Sequence, residues 1–223
     1  VTGLEQLQTL SDADKAVEMA DYHKAKREYL GVSNPQIDVL VKEWRGHMDV
    51  AGRVALADML WQSDIFEARI AAAKLLVQAR IKPDDQPAWD LIKSWVPEFD
   101  TWAIADQACS AGARRLVANP SRLDDVALWV ESGHMWSRRA ALVMTLPWAK
   151  LNYLSEKQTS ERERILGWAA EYVADKEWFI QKSIGWWIRD LSKHDPSRAS
   201  LFLASHGEAM QPFAAKIAGK YLT

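Results

Sequence analysis

Apolar residues recur along this chain at spacings of three and four, and almost nowhere in the strict alternation of a half-buried strand. Residues 11–29 read as one long amphipathic helix, with Val17, Ala20, Lys24 and Arg27 marking its faces. Gly31 is its expected stop, because glycine accepts the left-handed conformation at a helix end. Ser33, Asn34 and Pro35 then offer a capping side chain and a proline in the first turn of the next helix. Ile37, Leu40, Val41 and Trp44 repeat along that helix with its period, and Gly46 closes it. A helix over 50–61 follows, then one capped by Ser63 or Asp64 and running to Arg80. The remaining helices are expected at 86–95, 98–117, 123–130, 135–146, 160–173, 177–193, 196–205 and 208–222. Proline and glycine punctuate them at Pro83, Pro97, Pro120, Gly133 and Pro147.

Taken in pairs, helices of this length repeat about every 35–45 residues, the spacing of a HEAT-type solenoid. The expected fold is therefore all-α, a superhelix of HEAT-like antiparallel helix pairs with a concave basic face. A globular helical bundle is the alternative, since the repeats lack strict identity. With no Gly/Ser/Pro-rich linker, residues 1–223 read as one domain.

Composition narrows the function. No run approaches the roughly 20 apolar residues of a membrane span, and the N-terminal stretch lacks the basic-then-apolar layout of a secretion signal. The single cysteine, Cys109, fits a reducing compartment, so a cytoplasmic protein is expected. The five histidines never fall at helical ligand spacing, so neither a metal site nor a cofactor is expected. The net charge is only −2, but it is unevenly spread. Residues 1–111 hold 12 Lys and Arg against 18 Asp and Glu, while 112–223 hold 16 against 12. Such a gradient either orients an anionic ligand toward the C-terminal half or is accidental. Twelve tryptophans are the compositional outlier, most of them expected in the core.

Three helices carry residues in unexpected places. In 98–117 the apolar arc is Ile104, Ala105, Ala108, Gly112 and Leu116, with Trp102 and Asp106 one turn apart at its boundary. Asp106 is either a boundary carboxylate paired with an arginine or a functional acid beside an indole; Cys109 reads as a small core residue. In 177–193 the stripe Lys182, Trp186, Arg189 and Lys193 lies opposite Ile180, Ile184, Trp187 or Ile188, and Leu191. A tryptophan among cations suits a phosphodiester backbone, though an idle cation–π pair has the same pattern. In 135–146 the wheel puts Trp136, Leu142, Val143 and Leu146 on the apolar arc and Ser137, Ala141 and Thr145 opposite. Arg139 falls inside that arc and Arg138 at its edge, which calls for a phosphate or a carboxylate from a neighbouring helix.

The chain resembles the AlkD-like DNA glycosylases, the HEAT-repeat DNA alkylation repair family, over nearly its full length. The resemblance is carried by Tyr29-Leu-Gly-Val-Ser-Asn-Pro35, Leu60-Trp-Gln-Ser-Asp-Ile-Phe-Glu-Ala-Arg69, Trp102-Ala-Ile-Ala-Asp106, Trp136-Ser-Arg-Arg-Ala140 and Trp178-Phe-Ile-Gln-Lys-Ser-Ile-Gly-Trp186, in family order. It implies that Asp106 is the catalytic acid, that Trp102 and Trp186 pack against the lesion's deoxyribose, and that Arg139 binds phosphate. Arg138, Lys182, Arg189 and Lys193 are further phosphate-binding candidates. One departure is Ala103, where family members often carry Asp after the tryptophan.

The implied reaction is hydrolysis of the N-glycosidic bond of cationic alkylated purines, of the 3-methyladenine and 7-methylguanine class, in duplex DNA by a monomer. A ring already cationic needs no general acid, so a carboxylate that stabilises the oxocarbenium and orients water suffices. The resemblance further implies a lesion held without an enclosing base pocket, and hence tolerance of bulky adducts. A non-catalytic HEAT-repeat scaffold that binds DNA or protein is the competing reading.

Overall fold

The computed structural model describes residues 2–222, which are helical and turn structure throughout. Among them the only β pairing is an isolated bridge between Glu28 and Ile65. The chain divides into two compact units with the boundary between Asn119 and Pro120.

The first unit holds α1 (Gly3–Gln8), α2 (Ala13–His23), α3 (Asn34–His47), α4 (Val50–Gln62), α5 (Phe66–Leu75), α6 (Gln86–Trp95) and α7 (Trp102–Ala118). Helix α5 is its centre. It packs on α3, α4 and α7, and nearly every one of its side chains is buried, Glu67 and Arg69 included. Beside it, the Trp61 and Trp95 rings stack at 4.3 Å, with the Arg69 guanidinium 4.4 Å above Trp61.

The second unit holds α8 (Leu123–Val130), α9 (Met135–Val143), α10 (Leu146–Ala149), α11 (Glu156–Glu171), α12 (Trp178–Ser192), α13 (Pro196–His206) and α14 (Pro212–Ala218). Helix α12 is central here, packing on α9, α10, α13 and α14. Gln181, fully buried, clamps it. Its amide nitrogen donates to the carbonyls of Val173 and Asp175 at 2.9 and 2.7 Å, and its oxygen accepts the Gln211 N–H at 2.9 Å. Gly185 lets α14 close on the other side: a Cβ there would meet the Ala214 carbonyl oxygen at 3.0 Å.

The all-α prediction holds, and consecutive helices pair as α4 with α5, α6 with α7, α8 with α9 and α12 with α13. Several bounds differ. The helix expected over 11–29 ends at His23, where Lys24 turns left-handed. The segment that follows is drawn out of helix by partners distant in sequence. Glu67, fully buried, accepts the backbone N–H groups of Leu30, Gly31 and Val32 at 2.7–3.2 Å. Gly31 does have positive φ, but within this loop: a Cβ would collide with the Asp12 carbonyl oxygen and come within 2.7 Å of the Ala16 nitrogen. The helix expected to reach Arg80 stops at Leu75. Pro147 starts a short helix rather than ending a long one. The helix expected from 160 begins four residues earlier, behind a Ser155–Gln158 capping box.

The wheel drawn for α9 also needs correcting. Ser137, Ala141 and Thr145 are the buried side, each at most 3% exposed, whereas Trp136, Val143 and Leu146 are half-buried. The small residues admit close packing on α12. The hydroxyls are satisfied inside, Ser137 by the His134 ring at 2.9 Å and Thr145 by donating to the Ala141 carbonyl at 2.8 Å.

Candidate functional site

Helix α7 presents Trp102, Ala103, Asp106 and Gln107 half-buried and Ser110 exposed, while Ile104, Ala105, Ala108 and Cys109 are in the core. Seven of the twelve tryptophans are buried, and Trp102 and Trp186 are among the five that are not. The pair Trp102 and Asp106 therefore stands where the helical period places it.

Two arginines set the start of this helix. The Arg27 guanidinium, 7% exposed, pairs with Asp64 and with Asp100 at 3.0 Å. Arg69 bonds Glu98 at 2.9 Å and Asp64 at 3.1 Å. Two cations sharing three carboxylates offset their own desolvation and hold the turn that delivers Trp102.

An aromatic wall surrounds the indole. The His23 ring lies 5.3 Å from Trp102 and 4.5 Å from Phe66, and Phe66 stacks on Tyr29 at 4.7 Å. Tyr22, largely exposed, meets Trp102 edge-on at 6.1 Å. Burial holds the His23 imidazole below its ordinary pKa, so the ring is neutral near pH 7. Its Nδ1 is sealed from solvent and has no hydrogen-bond partner.

Beside the indole lies a partly open cavity of about 230 Å³ within the first unit. Asp106, Trp102, Gln107 and Ser110 face it from α7, His23 from α2, Phe66 from α5 and Asn34 from α3. The residues 30–32 held by Glu67 bring Val32 to it as well. Nothing in the sequence suggested such a cavity, since His23 enters only because the chain leaves its helix at Lys24. Ala103 lines it with a methyl group alone.

The second unit gathers the other candidates on α12. Trp178, Lys182 and Trp186 follow at four-residue steps, and the Lys182 ammonium lies 4.5 Å from the Trp178 ring and 5.1 Å from the Trp186 ring. The Arg139 guanidinium lies 5.1 Å from Trp186 and 5.5 Å from Phe179 and donates to the Phe179 carbonyl at 2.9 Å. Arg139 is 1% exposed, so in this arrangement it supports the indole from beneath. Desolvated cation–π contacts of this kind contribute about 1–2 kcal/mol each. Trp178 stacks on Phe213 at 5.5 Å, and the exposed stripe is thus longer than the four positions expected.

Arg189 and Lys193 stand with Lys150 around a single buried carboxylate, Asp190, at 3.0, 3.8 and 3.4 Å. Three cations on one acid leave a local positive excess. Arg138 is set apart from these: it bonds Asp175 at 3.1 Å and the Ser132 carbonyl at 2.8 Å. Sequence reasoning missed Trp178 and Phe179, although the four-residue step to Lys182 and Trp186 was there to find; Lys150 had no such signal. Among the described residues no three His, Cys, Asp or Glu side chains gather as metal ligands, and no helix is long and apolar enough to cross a membrane.

Known structures share this fold. A predicted DNA alkylation repair enzyme from Enterococcus faecalis superposes with a TM-score of 0.79 at 21% identity, over 96% of this chain and 97% of its own. AlkD2 from Streptococcus mutans gives 0.62 at 18% identity, over 85% and 90%. The protein smu.31 from Streptococcus mutans UA159 gives 0.59 at 19%, over 83% and 94%. No curated protein matches the chain. Residues 4–222 match the family model described as DNA alkylation repair enzyme, and the chain belongs to that family.

Proposed function

We propose that this protein is a monofunctional DNA glycosylase that hydrolyses the N-glycosidic bond of cationic alkylated purines in duplex DNA. The observation that carries the reading is Asp106 facing an aromatic-walled cavity one turn along α7 from Trp102. A purine alkylated at a ring nitrogen leaves as a neutral molecule, so the bond breaks without a general acid. The charge that develops is on the sugar, and a fixed carboxylate lowers that barrier electrostatically and orients the attacking water. Asp106 takes both roles, and Trp102 and Trp186 are the sugar contacts.

Lys182, Arg189 and Lys193 are the phosphate contacts this reading assigns first, because each keeps some exposure. Arg139 reaches a phosphate only with a shift of its side chain, and Arg138 only by exchanging the Asp175 carboxylate for one. The protein acts as a monomer on DNA in the cytoplasm and requires neither metal nor cofactor.

The test is product analysis. Duplex DNA treated with a methylating agent is incubated with the protein in a metal chelator, and the supernatant and strands are resolved separately. Free 3-methyladenine and 7-methylguanine together with intact abasic strands are expected. DNA binding without any released base would instead favour the non-catalytic scaffold.

A further inference from the structure

We propose that the exposed face shared by α12 and α14 binds an unpaired DNA strand, stacking bases on its rings and holding phosphates with its lysines. The proposal stands apart from the glycosylase reading, since no part of it uses Asp106. The two helices run side by side in the same direction. Near their starts Trp178 stacks on Phe213, with ring centroids 5.5 Å apart and planes 18° from parallel. Past their ends the Lys193 ammonium lies 4.7 Å from the Tyr221 ring. Lys182 and Trp186 continue the face between these contacts at four-residue steps. From Trp178 to Lys193 the helical rise makes a track of about 22 Å.

Rings and cations alternate along this track. The Lys182 ammonium is 4.5 Å from the Trp178 ring and 5.1 Å from the Trp186 ring. Tyr221 has Lys193 on one approach and Lys220, at 5.4 Å, on another. Trp178 and Tyr221 are each 48% exposed, which is large aromatic area to leave in water. An idle cation–π contact accounts for one ring and one cation, not for a series carried across two helices. Lysine is a point charge on a flexible stem, so Lys182 can pass from a ring to a phosphate and leave that ring face to a base. The acids beside the track are Glu177 and Asp190, and Asp190 is already shared by Lys150, Arg189 and Lys193.

The alternation selects an unpaired strand over a duplex. In a duplex each base has its flat faces covered by its neighbours, so rings on a protein surface meet sugar at most. An unpaired strand opens those faces, and because every base has one, stacking needs no particular sequence. Its phosphates fall between successive bases, as the lysines here fall between successive rings. A track of this length takes about four nucleotides, the lower end of single-strand sites.

Fluorescence anisotropy with two labelled single strands tests this. One is an oligothymidylate of about twelve nucleotides, and the other is an abasic strand with the same number of phosphates and no bases. The full chain should bind the thymidylate at least about tenfold more tightly than the abasic strand at the same salt. Trp178→Ala and Tyr221→Ala, which leave every lysine in place, should each cut that preference several-fold, and Trp178→Phe should keep most of it. Thermal unfolding of each variant checks that the second unit remains folded. Equal affinity of wild type for the two strands would overturn the proposal, because charge alone would then explain the binding. A folded Trp178→Ala that keeps the full preference would overturn it as well, and so would wild type binding neither strand.

Discussion

At the scale of single residues, His23 is the group least expected and most exposed to a simple test. A histidine held below its ordinary value of 6.5 favours the folded state while both folded and unfolded chains are neutral. Acidification protonates the unfolded chain first, so stability is full above that value and declines as the pH falls through the lowered folded value. Glu67 and Asp106 face the same cavity, so the comparison must isolate the imidazole. His23→Phe keeps the ring wall and removes the titration. The difference in urea midpoint between wild type and His23→Phe should shift in favour of the variant between pH 7 and pH 5; a constant difference would contradict the assignment.

The position of Asp106 was legible from a wheel because α7 is a regular helix with a clear apolar arc, and so was the wet stripe of α12. Arg139 was legible only as a misfit. Among its contacts are a backbone carbonyl and two ring faces, which charge reasoning does not offer first. His23 was invisible for a different reason: its place depends on Glu67, 44 positions away in the chain, gathering three N–H groups from residues 30–32.

At the scale of elements, α12 carries both the core of its unit and the stripe with Trp186, so errors in its packing should reach the site. Gly185→Ala puts a methyl group against the Ala214 carbonyl at 3.0 Å and Ile217 Cβ at 3.2 Å. Neither is the far end of a flexible side chain, so α14 must move. Thermal unfolding should show a loss of about 1–3 kcal/mol, the usual cost of overpacking. An unchanged midpoint would mean that α14 does not press on α12 there.

Element bounds were read best where caps and periodicity act locally. The ranges Gln86–Trp95 and Leu123–Val130 came out as expected, and Ser33 does cap α3 through a capping box with Gln36. They were read worst where long-range bonds overrule propensity, as in 24–33. The α9 wheel placed Leu142 and Arg139 correctly but missed the small buried side, where Ser137 and Ala141 let α12 come near. Hydropathy carries no such information.

At the scale of the whole molecule, a chain of net charge −2 binds a polyanion only through local excess. Lys182 and the group of Lys150, Arg189 and Lys193 around Asp190 supply it in the second unit. Affinity for undamaged duplex should fall as salt rises, and Lys182→Gln should make the log–log slope shallower by about one counterion. An unaltered slope would remove Lys182 from the phosphate contacts.

The central claim is that one carboxylate makes this fold a glycosylase, and single-turnover kinetics on a duplex with one 7-methylguanine tests it most directly. Asp106→Asn keeps the shape of the side chain and removes its charge. With DNA binding unchanged, it should slow base release by about 100-fold or more, the usual cost of losing a group aimed at transition-state charge. Release at the wild-type rate by Asp106→Asn would contradict the account.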